Sequence, residues 1–299
     1  MKAPLFTIAT ITFNSEEWVH DCISSILNSG FADFELLISD DCSTDNTWEV
    51  IQKFSDSRIT ARRNEKNIGE YKNRNKVLSA ASGAYFFFVD GDDELYRESL
   101  QKLVHYIIKY PEVIGIYGVH PETLPGIKLP FVLKPEESLH WVYGANMPIV
   151  FVGFAETVFK TSALREAGGF PESFECGDVY IKKKLLATGP VLYVGQGFQH
   201  WRISANQASA KLSTNLLGYQ NNVLIDRAIL NDVEIKAASK DLSIYKMNIK
   251  IRDIKLLVRH TFLKGKFIFG ITLFKKMKFK IMDLRYLFFK PRIENVELL

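Results

Sequence analysis

The sequence predicts an α/β protein built on a mostly parallel sheet flanked by helices, and three observations carry that prediction. Short runs of apolar, β-branched or aromatic residues alternate with helix-period stripes through the first 120 residues. The most apolar run, Ala84–Val89, shows no polar alternation, as a central strand covered on both faces requires. Two of the runs end abruptly in aspartates, Asp40-Asp41 and Asp90-Gly91-Asp92-Asp93. Sheets of this kind place ligand sites beyond the carboxyl ends of their strands.

In chain order, Leu5–Ile11 reads as the first strand. A helix begins near Ser15, with Glu16 and Glu17 in its first turn and a stripe of Val19, Ile23, Ile26 and Leu27. Phe34–Ile38 is the second strand and runs into the polar turn Ser39–Asp45. Ser43 or Asp45 caps the next helix, whose face includes Trp48, Ile51 and Phe54. Ile59–Ala61 is a short third strand, and a helix over Tyr71–Ala81 leads to Ala84–Val89. A helix carrying Leu100, Leu103, Val104, Ile107 and Ile108 and a strand over Val113–Val119 complete the repeating pattern.

Residues 120–150, with five prolines, read as a long connection containing a short helix from Pro135 to Tyr143. Phe151–Lys160 is expected as a strand, Ser162–Glu166 as a helix stopped by Gly168-Gly169, Asp178–Leu186 as a helix and Val191–Val194 as a strand. The remainder reads as helical. The chain thus divides into a unit over 1–210, with a boundary near 110, and a helical region over 211–299.

Composition narrows the class. Hydrophobic residues make up 47% of the 299 and charged residues 24%, which are globular values. The three cysteines, Cys22, Cys42 and Cys176, are far apart and lie in no zinc-like spacing, which suits a reducing compartment. The apolar start is too short for a secretory leader and reads as a strand. With no long apolar run to span a bilayer, the expected location is cytoplasmic. The net charge of +4 hides an asymmetry: residues 240–299 hold 15 Lys/Arg against 5 Asp/Glu, and the remainder 23 against 29. The basic character belongs to the tail, so pI does not argue for nucleic acid.

An acidic turn after a buried strand is costly unless it meets solvent, a cation or a donor group. Helix capping with a solvated turn is the bland account. The chemical account is a hard divalent ion, Mg²⁺ or Mn²⁺, which prefers oxygen ligands and bridges carboxylates to substrate phosphates. Gly91 would let the turn bend tightly beside them. No Gly-rich Walker loop is present, and Thr12-Phe13-Asn14-Ser15 lacks the dinucleotide glycine fingerprint.

Four pieces in order carry a resemblance over roughly residues 5–110: Thr10-Ile11-Thr12-Phe13-Asn14, Asp40–Thr47, Arg74-Asn75 followed by Ala81-x-Gly83 before Tyr85–Val89, and Asp90-Gly91-Asp92-Asp93. They resemble the opening turn, the D-D-x-S-x-D-x-T signature, the A-R-N and A-x-G stretches and the D-x-D-D motif of family 2 of the glycosyltransferases, an inverting group with the GT-A fold. The resemblance implies a metal-dependent enzyme that moves a sugar from a UDP- or dTDP-type donor to a hydroxyl of a glycan or lipid-linked glycan. It implies that Thr12 and Asn14 line the nucleotide pocket and that Asp41, with or without Asp40, accepts a hydrogen bond from the base. Arg74 would lie near the sugar or phosphates, with Asn75 structural. Asp90 and Asp92 would face the donor's sugar and diphosphate as metal ligands, Asp92 the main one. Asp93 would assist or cap the following helix.

Further on, Gly168–Glu172 resembles the segment that precedes the family's E-D pair. That pair stands here as Gly177-Asp178, so its glutamate is missing. Asp178 is the implied catalytic base, Glu175 lies near enough to take over some of the missing glutamate's function, and an N-cap is the alternative role for Asp178. His200-Trp201-Arg202-Ile203-Ser204, with Gln207 and Ser209, is similar to the family's closing loop. Arg202 would be a second cation for the diphosphate, and Trp201 would cover the pocket or simply pack.

Two other functions fit the same residues. A nucleotidyltransferase normally needs a Gly-rich, basic loop that Thr10–Glu16 lacks. A non-catalytic nucleotide-sugar-binding protein would account for the altered Gly177-Asp178 segment. In the tail, Ile251, Ile254, Val258 and Phe262, then Phe267, Ile271, Phe274, Ile281, Leu284 and Phe288, fall at helical spacing among Lys264, Lys266, Lys275, Lys276, Lys278, Lys280, Arg285 and Lys290. An apolar stripe with a cationic flank suits an anionic membrane surface. Packing on the catalytic unit or a homodimer interface would use the same pattern.

Overall fold

A computed structural model describes residues 3–147, 149, 154–202, 217–259, 261 and 267–291. The four expected N-terminal strands are β1 (Phe6–Thr12), β2 (Phe34–Asp40), β3 (Ile59–Arg63) and β4 (Tyr85–Phe88). They pair in parallel in the order β3-β2-β1-β4. Period-two alternation divides their side chains between two cores. Phe6, Ile8, Leu36 and Phe87 meet α1 (Val19–Leu27) and α4 (Ser99–Lys109) on one face. Ala9, Leu37, Phe86 and Phe88 meet α3 (Glu70–Ala80) on the other. All four residues of β4 are buried, as a central strand requires.

The sheet then becomes mixed. β8 (Thr157–Lys160) runs antiparallel between β4 and β6 (Gly115–Val119). β9 (Val191–Gly195) pairs in parallel with β6, and β7 (Phe131–Leu133) closes the edge antiparallel to β9. The strand expected over Phe151–Lys160 is shorter, because Phe154–Glu156 forms a 3₁₀ turn ahead of it; residues 151–153 lie outside the described residues. A separate two-stranded ribbon, β5 (Glu94–Leu95) against β10 (Gln199–His200), was not readable from sequence.

Neither expected residue caps helix α2 (Thr47–Ile51), whose N-cap is Asn46 with no side-chain cap bond; Asp45 instead folds onto Thr47. Asp45 Oδ1 accepts from Thr47 N at 3.0 Å and from Thr47 Oγ1 at 2.6 Å, while Ser43 turns to Asp40. The expected short helix is α5 (Pro135–Leu139), which continues as a π-helical turn through Gly144. α6 (Thr161–Glu166) and α7 (Gly177–Thr188) follow.

Beyond the sheet lie α8 (Leu217–Asn231), α9 (Val233–Ala238), α10 (Leu242–Val258), α11 (Phe267–Lys276) and a 3₁₀ helix over Ile281–Phe288. Ile225, Ile229, Ile235 and Tyr245 join the same core as α7. An ionic knot ties these helices together: buried Asp226 accepts from Lys183 Nζ at 2.5 Å and from Arg252 Nη2 at 2.6 Å. The first part of the expected surface stripe therefore points the other way. Ile251 and Ile254 have no exposed surface, because they pack inward. Phe262, Lys264 and Lys266 lie outside the described residues. Among the described residues, no helix is long and apolar enough to cross a membrane.

Candidate active site

A cleft of about 1180 Å³ opens beyond the carboxyl ends of β1 and β4. Thr12, Asp41, Arg74, Asp90, Asp92, Glu175 and Asp178 line it. Asn14, Asp40 and Arg202, expected with them, do not.

The adjacent aspartates at the end of β2 have different surroundings. Asp40 has no exposed surface. Its Oδ1 accepts from Thr12 Oγ1 at 3.0 Å and also from the Ser43 hydroxyl. Its Oδ2 accepts from Ser43 N at 3.1 Å and faces Arg63 Nε at 3.4 Å. So occupied, Asp40 holds the loop instead of meeting a base. Asn14 also turns from the pocket. At φ +52° it accepts from Thr44 N at 2.9 Å and donates its own N–H to Ser43 Oγ at 2.9 Å, pinning the turn after β1 to the loop after β2.

Asp41 is the member of the pair that reaches the cleft. Its Oδ1 accepts from Asn64 Nδ2 at 2.8 Å and Ile68 N at 2.9 Å, and its Oδ2 from Gly69 N at 2.9 Å. A carboxylate offers about four lone-pair positions, so this arrangement fixes Asp41 and leaves room for one further N–H.

Arg74 is committed to a carboxylate. It donates to both oxygens of Asp90, at 3.0 and 2.8 Å, and through Nε to Glu70 at 3.0 Å. Burial works against its charge, but Asp90 and Glu70 outweigh it and hold the guanidinium well above its ordinary pKa. Both oxygens of Asp90 thus face Arg74, and Asp92 and Asp93 of the same turn also line the cleft. Asp93 does not cap a helix, since α4 begins at Ser99. It is buried, accepts from Arg202 N at 3.0 Å, and is pushed up to about 8 by burial and then by Asp90.

Gly91 is required by proximity: a Cβ there would stand 2.6 Å from Thr12 Cγ2. Its φ is not in the left-handed region, so close approach of neighbouring strand ends, not a special bend, explains it.

Among the described residues, no three His, Cys, Asp or Glu side chains form a ready metal cage. A hard ion held chiefly by substrate phosphates needs only one or two protein carboxylates. The oxygen-only chemistry of the turn fits such an ion, as does the accumulated negative charge that helps raise Asp93.

Asp178 sits in the first turn of α7, with one oxygen 3.4 Å from Lys182 Nζ. Lys182 is buried; burial lowers its pKa while Asp178 opposes the shift. Asp178 makes no side-chain cap. Glu175 also lines the cleft and exchanges two hydrogen bonds with Asn221 of α8, both at 3.2 Å. The absent glutamate at position 177 has a steric correlate. A Cβ on Gly177 would lie 3.0 Å from the ring of Tyr71, which stacks on Phe170 and donates its hydroxyl to Glu175 O at 3.0 Å.

Arg202 is pinned beside the cleft, not in it. Its Nε donates to Asp92 O at 3.0 Å, its Nη2 pairs with Glu94, and its guanidinium lies 4.0 Å from the Trp18 ring centroid. Trp201 lines the cleft and stays 51% exposed, so it is not core packing. Ser204, Gln207 and Ser209 lie outside the described residues. Sequence reasoning missed Lys182, whose i+4 spacing from Asp178 was the available signal. It also missed Glu156, a half-buried cleft carboxylate that accepts from Gly197 N at 3.0 Å and that no motif marks.

Comparison with known proteins agrees with this geometry. A putative teichuronic acid biosynthesis glycosyltransferase, TuaG of Bacillus subtilis, is 30% identical over 138 residues, covering 46% of this chain and 55% of that protein. The Staphylococcus aureus poly(ribitol-phosphate) beta-N-acetylglucosaminyltransferase TarS is 25% identical over 211 residues, 68% of this chain and 33% of TarS. The chain thus spans about half or less of these relatives' lengths. The crystal structure of TarS 1-349 with UDP-GlcNAc superposes with a TM-score of 0.62 at 22% identity, covering 94% of this chain and 78% of that one, and shows the same GT-A fold. Residues 7–150, just under half of the chain, match the model described as Glycosyl transferase family 2, and it is this family that the N-terminal part of the chain resembles.

Proposed function

We propose that this protein transfers a sugar from a nucleotide diphosphate donor to a hydroxyl of a glycan or lipid-linked glycan, inverting the anomeric centre in one displacement. The observation that carries the reading is that Asp41, Asp92 and Asp178 line one cleft. Their sharing one cleft supports the roles the motifs imply. The names of TuaG, for teichuronic acid biosynthesis, and TarS, for poly(ribitol-phosphate), support transfer within polymer biosynthesis.

In this reading Asp41, fixed by its three donors, receives an N–H of the base, usually uracil or thymine. Asp178 takes the proton of the acceptor hydroxyl as it attacks, and Lys182 orients its carboxylate. Arg74 holds Asp90 in place beside the donor sugar. Asp92 would hold Mg²⁺ or Mn²⁺, which when bound supplies positive charge to the leaving diphosphate. A lipid-linked acceptor would bring the enzyme to a membrane surface, so the residues meeting that surface lie outside the cleft.

A panel of UDP-, dTDP- and GDP-sugars, incubated with metal and a hydroxyl acceptor, tests the reading. Release of a nucleoside diphosphate is expected. Pyrophosphate would indicate nucleotidyl transfer, and tight donor binding without turnover or hydrolysis would indicate a binding protein.

A further inference from the structure

Residues 267–291 attach to the fold by one side. Met277 and Phe279 sink into a small core with Val223, Ile254 and Leu257. Arg227 Nη1 donates to Met277 O at 2.7 Å, and Lys255 Nζ donates to Phe289 O at 2.7 Å. Asp283 is buried, accepts from Lys280 N at 2.8 Å and pairs with Lys250 at 2.6 Å. These anchors decide which side faces outward.

The outward side is unusually apolar. Phe288 is 90% exposed, Ile281 80%, Met282 70% and Ile271 59%. Lone exposed apolar residues are ordinary, but several large ones on one short, anchored segment mark an interaction surface. Among them stand Lys275, Lys278, Lys280, Arg285 and Lys290, all exposed. Asp283 is the only acidic residue of this stretch, and it is turned inward.

We infer that this face docks the protein on a bilayer surface rich in anionic lipid, the apolar side chains entering the headgroup layer and the cations meeting lipid phosphates. Charge selects this occupant. A two-fold contact between copies sets a patch against itself, which here would bring cations onto cations with no exposed carboxylate of residues 267–291 between them. The surface differs from the long amphipathic stripe that the sequence suggested, since Ile251 and Ile254 are interior. It is also fixed relative to the cleft. Helix α8 carries Asn221, which holds Glu175 at the cleft, and Val223 and Arg227, which pack beneath the docking face.

The inference is separate from the transferase reading, because plain vesicles contain neither donor nor acceptor. Full-length protein is sedimented with phosphatidylglycerol–phosphatidylcholine vesicles and with pure phosphatidylcholine vesicles, at low and high salt. Light scattering gives its oligomeric state in parallel. It should pellet with the anionic vesicles and be released by salt. Ile281→Ser with Phe288→Ser should weaken binding at least about tenfold, through lost apolar burial. Lys275→Gln with Lys278→Gln should weaken binding to anionic vesicles by about tenfold or more, from roughly fivefold per basic residue. All four positions are exposed, so the fold should survive, as thermal unfolding would show. Wild-type protein that stays in the supernatant with anionic vesicles overturns the inference. So does equal pelleting with both lipid mixtures that the variants leave unchanged. A dimer that the Ile281→Ser, Phe288→Ser variant dissociates, with no vesicle binding, assigns the face to self-association instead.

Discussion

Arg74 meets Asp90 fork to fork, Nη1 to Oδ1 at 3.0 Å and Nη2 to Oδ2 at 2.8 Å, with its guanidinium 4.5 Å from the Phe88 ring centroid and 4.8 Å from that of Phe154. The arginine is 5% exposed and the aspartate 29%. Removing one member of so enclosed a pair leaves a charge without its counterion. Arg74→Met should therefore cost about 3 kcal/mol in urea unfolding. Arg74→Lys should recover only part, because an ammonium cannot make both parallel bonds. A loss below about 0.5 kcal/mol for the methionine variant would mean that Asp90 is satisfied by other groups.

Asp92 carries the metal prediction. Transfer should stop in EDTA and return with Mg²⁺ or Mn²⁺. Asp92→Asn should lower turnover by about 10²–10³, the scale of losing one preorganised electrostatic contact to a developing charge. Its unfolding midpoint should stay within a degree or two of wild type. Wild-type transfer at full rate in EDTA would remove the ion from the reaction.

Asp253 makes stability depend on pH. Burial pushes its carboxyl up to about 6 from the ordinary 3.8, against the pull of Arg252. Between those values the folded protein holds a proton that the unfolded chain has lost. Its contribution is complete below about pH 4, declines as pH rises, and is gone above about pH 6, on the order of 2–3 kcal/mol in all. Asp253→Asn should flatten this decline and leave the protein more stable at pH 7. Both Arg252 bonds go to Oδ1, at 3.1 and 2.8 Å, which an amide oxygen can accept. Urea unfolding at pH 4, 5, 6 and 7 measures the slope, and identical slopes in the two proteins would reject the assignment.

These cases show what the sequence could reveal. Strand β4 was readable because burial on both faces leaves an uninterrupted apolar run, and α1 and α4 because one buried face leaves a helical period. The ribbon of β5 and β10 was not, since two residues per strand carry no pattern. In α10 the period was read correctly and its direction wrongly. A stripe says that one face is apolar, and only the partners show whether it meets core or solvent. The site divides in the same way. Asp41, Asp92 and Asp178 stood out by motif and do line one cleft. That Asp40 is interior depends on Ser43 and Arg63, and that Arg74 serves Asp90 depends on packing across two elements. The glycine at 177 was an unexplained departure until Tyr71, over a hundred residues earlier in the chain, was found beside it.

The last prediction concerns Asp178 and its neighbour. Asp178 and Glu175 both line the cleft, but their partners differ. Glu175 exchanges hydrogen bonds with an amide, Asn221, which restrains the loop. Asp178 is paired through one oxygen with the buried Lys182 at 3.4 Å and makes no side-chain cap on α7. A base needs a carboxylate held in the cleft by a partner that orients it and not tied to the loop, and Asp178 fits that description better. Asp178→Asn should leave the donor dissociation constant within about twofold by calorimetry and lower turnover by about 10²–10⁴, the usual share of general-base catalysis. The loss would then belong to the transition state and not to binding. Glu175→Gln keeps a side chain of the same shape for Asn221 and should cost less than tenfold. The reverse pattern, with Asp178→Asn near wild type and Glu175→Gln inactive, would move the proton transfer to Glu175.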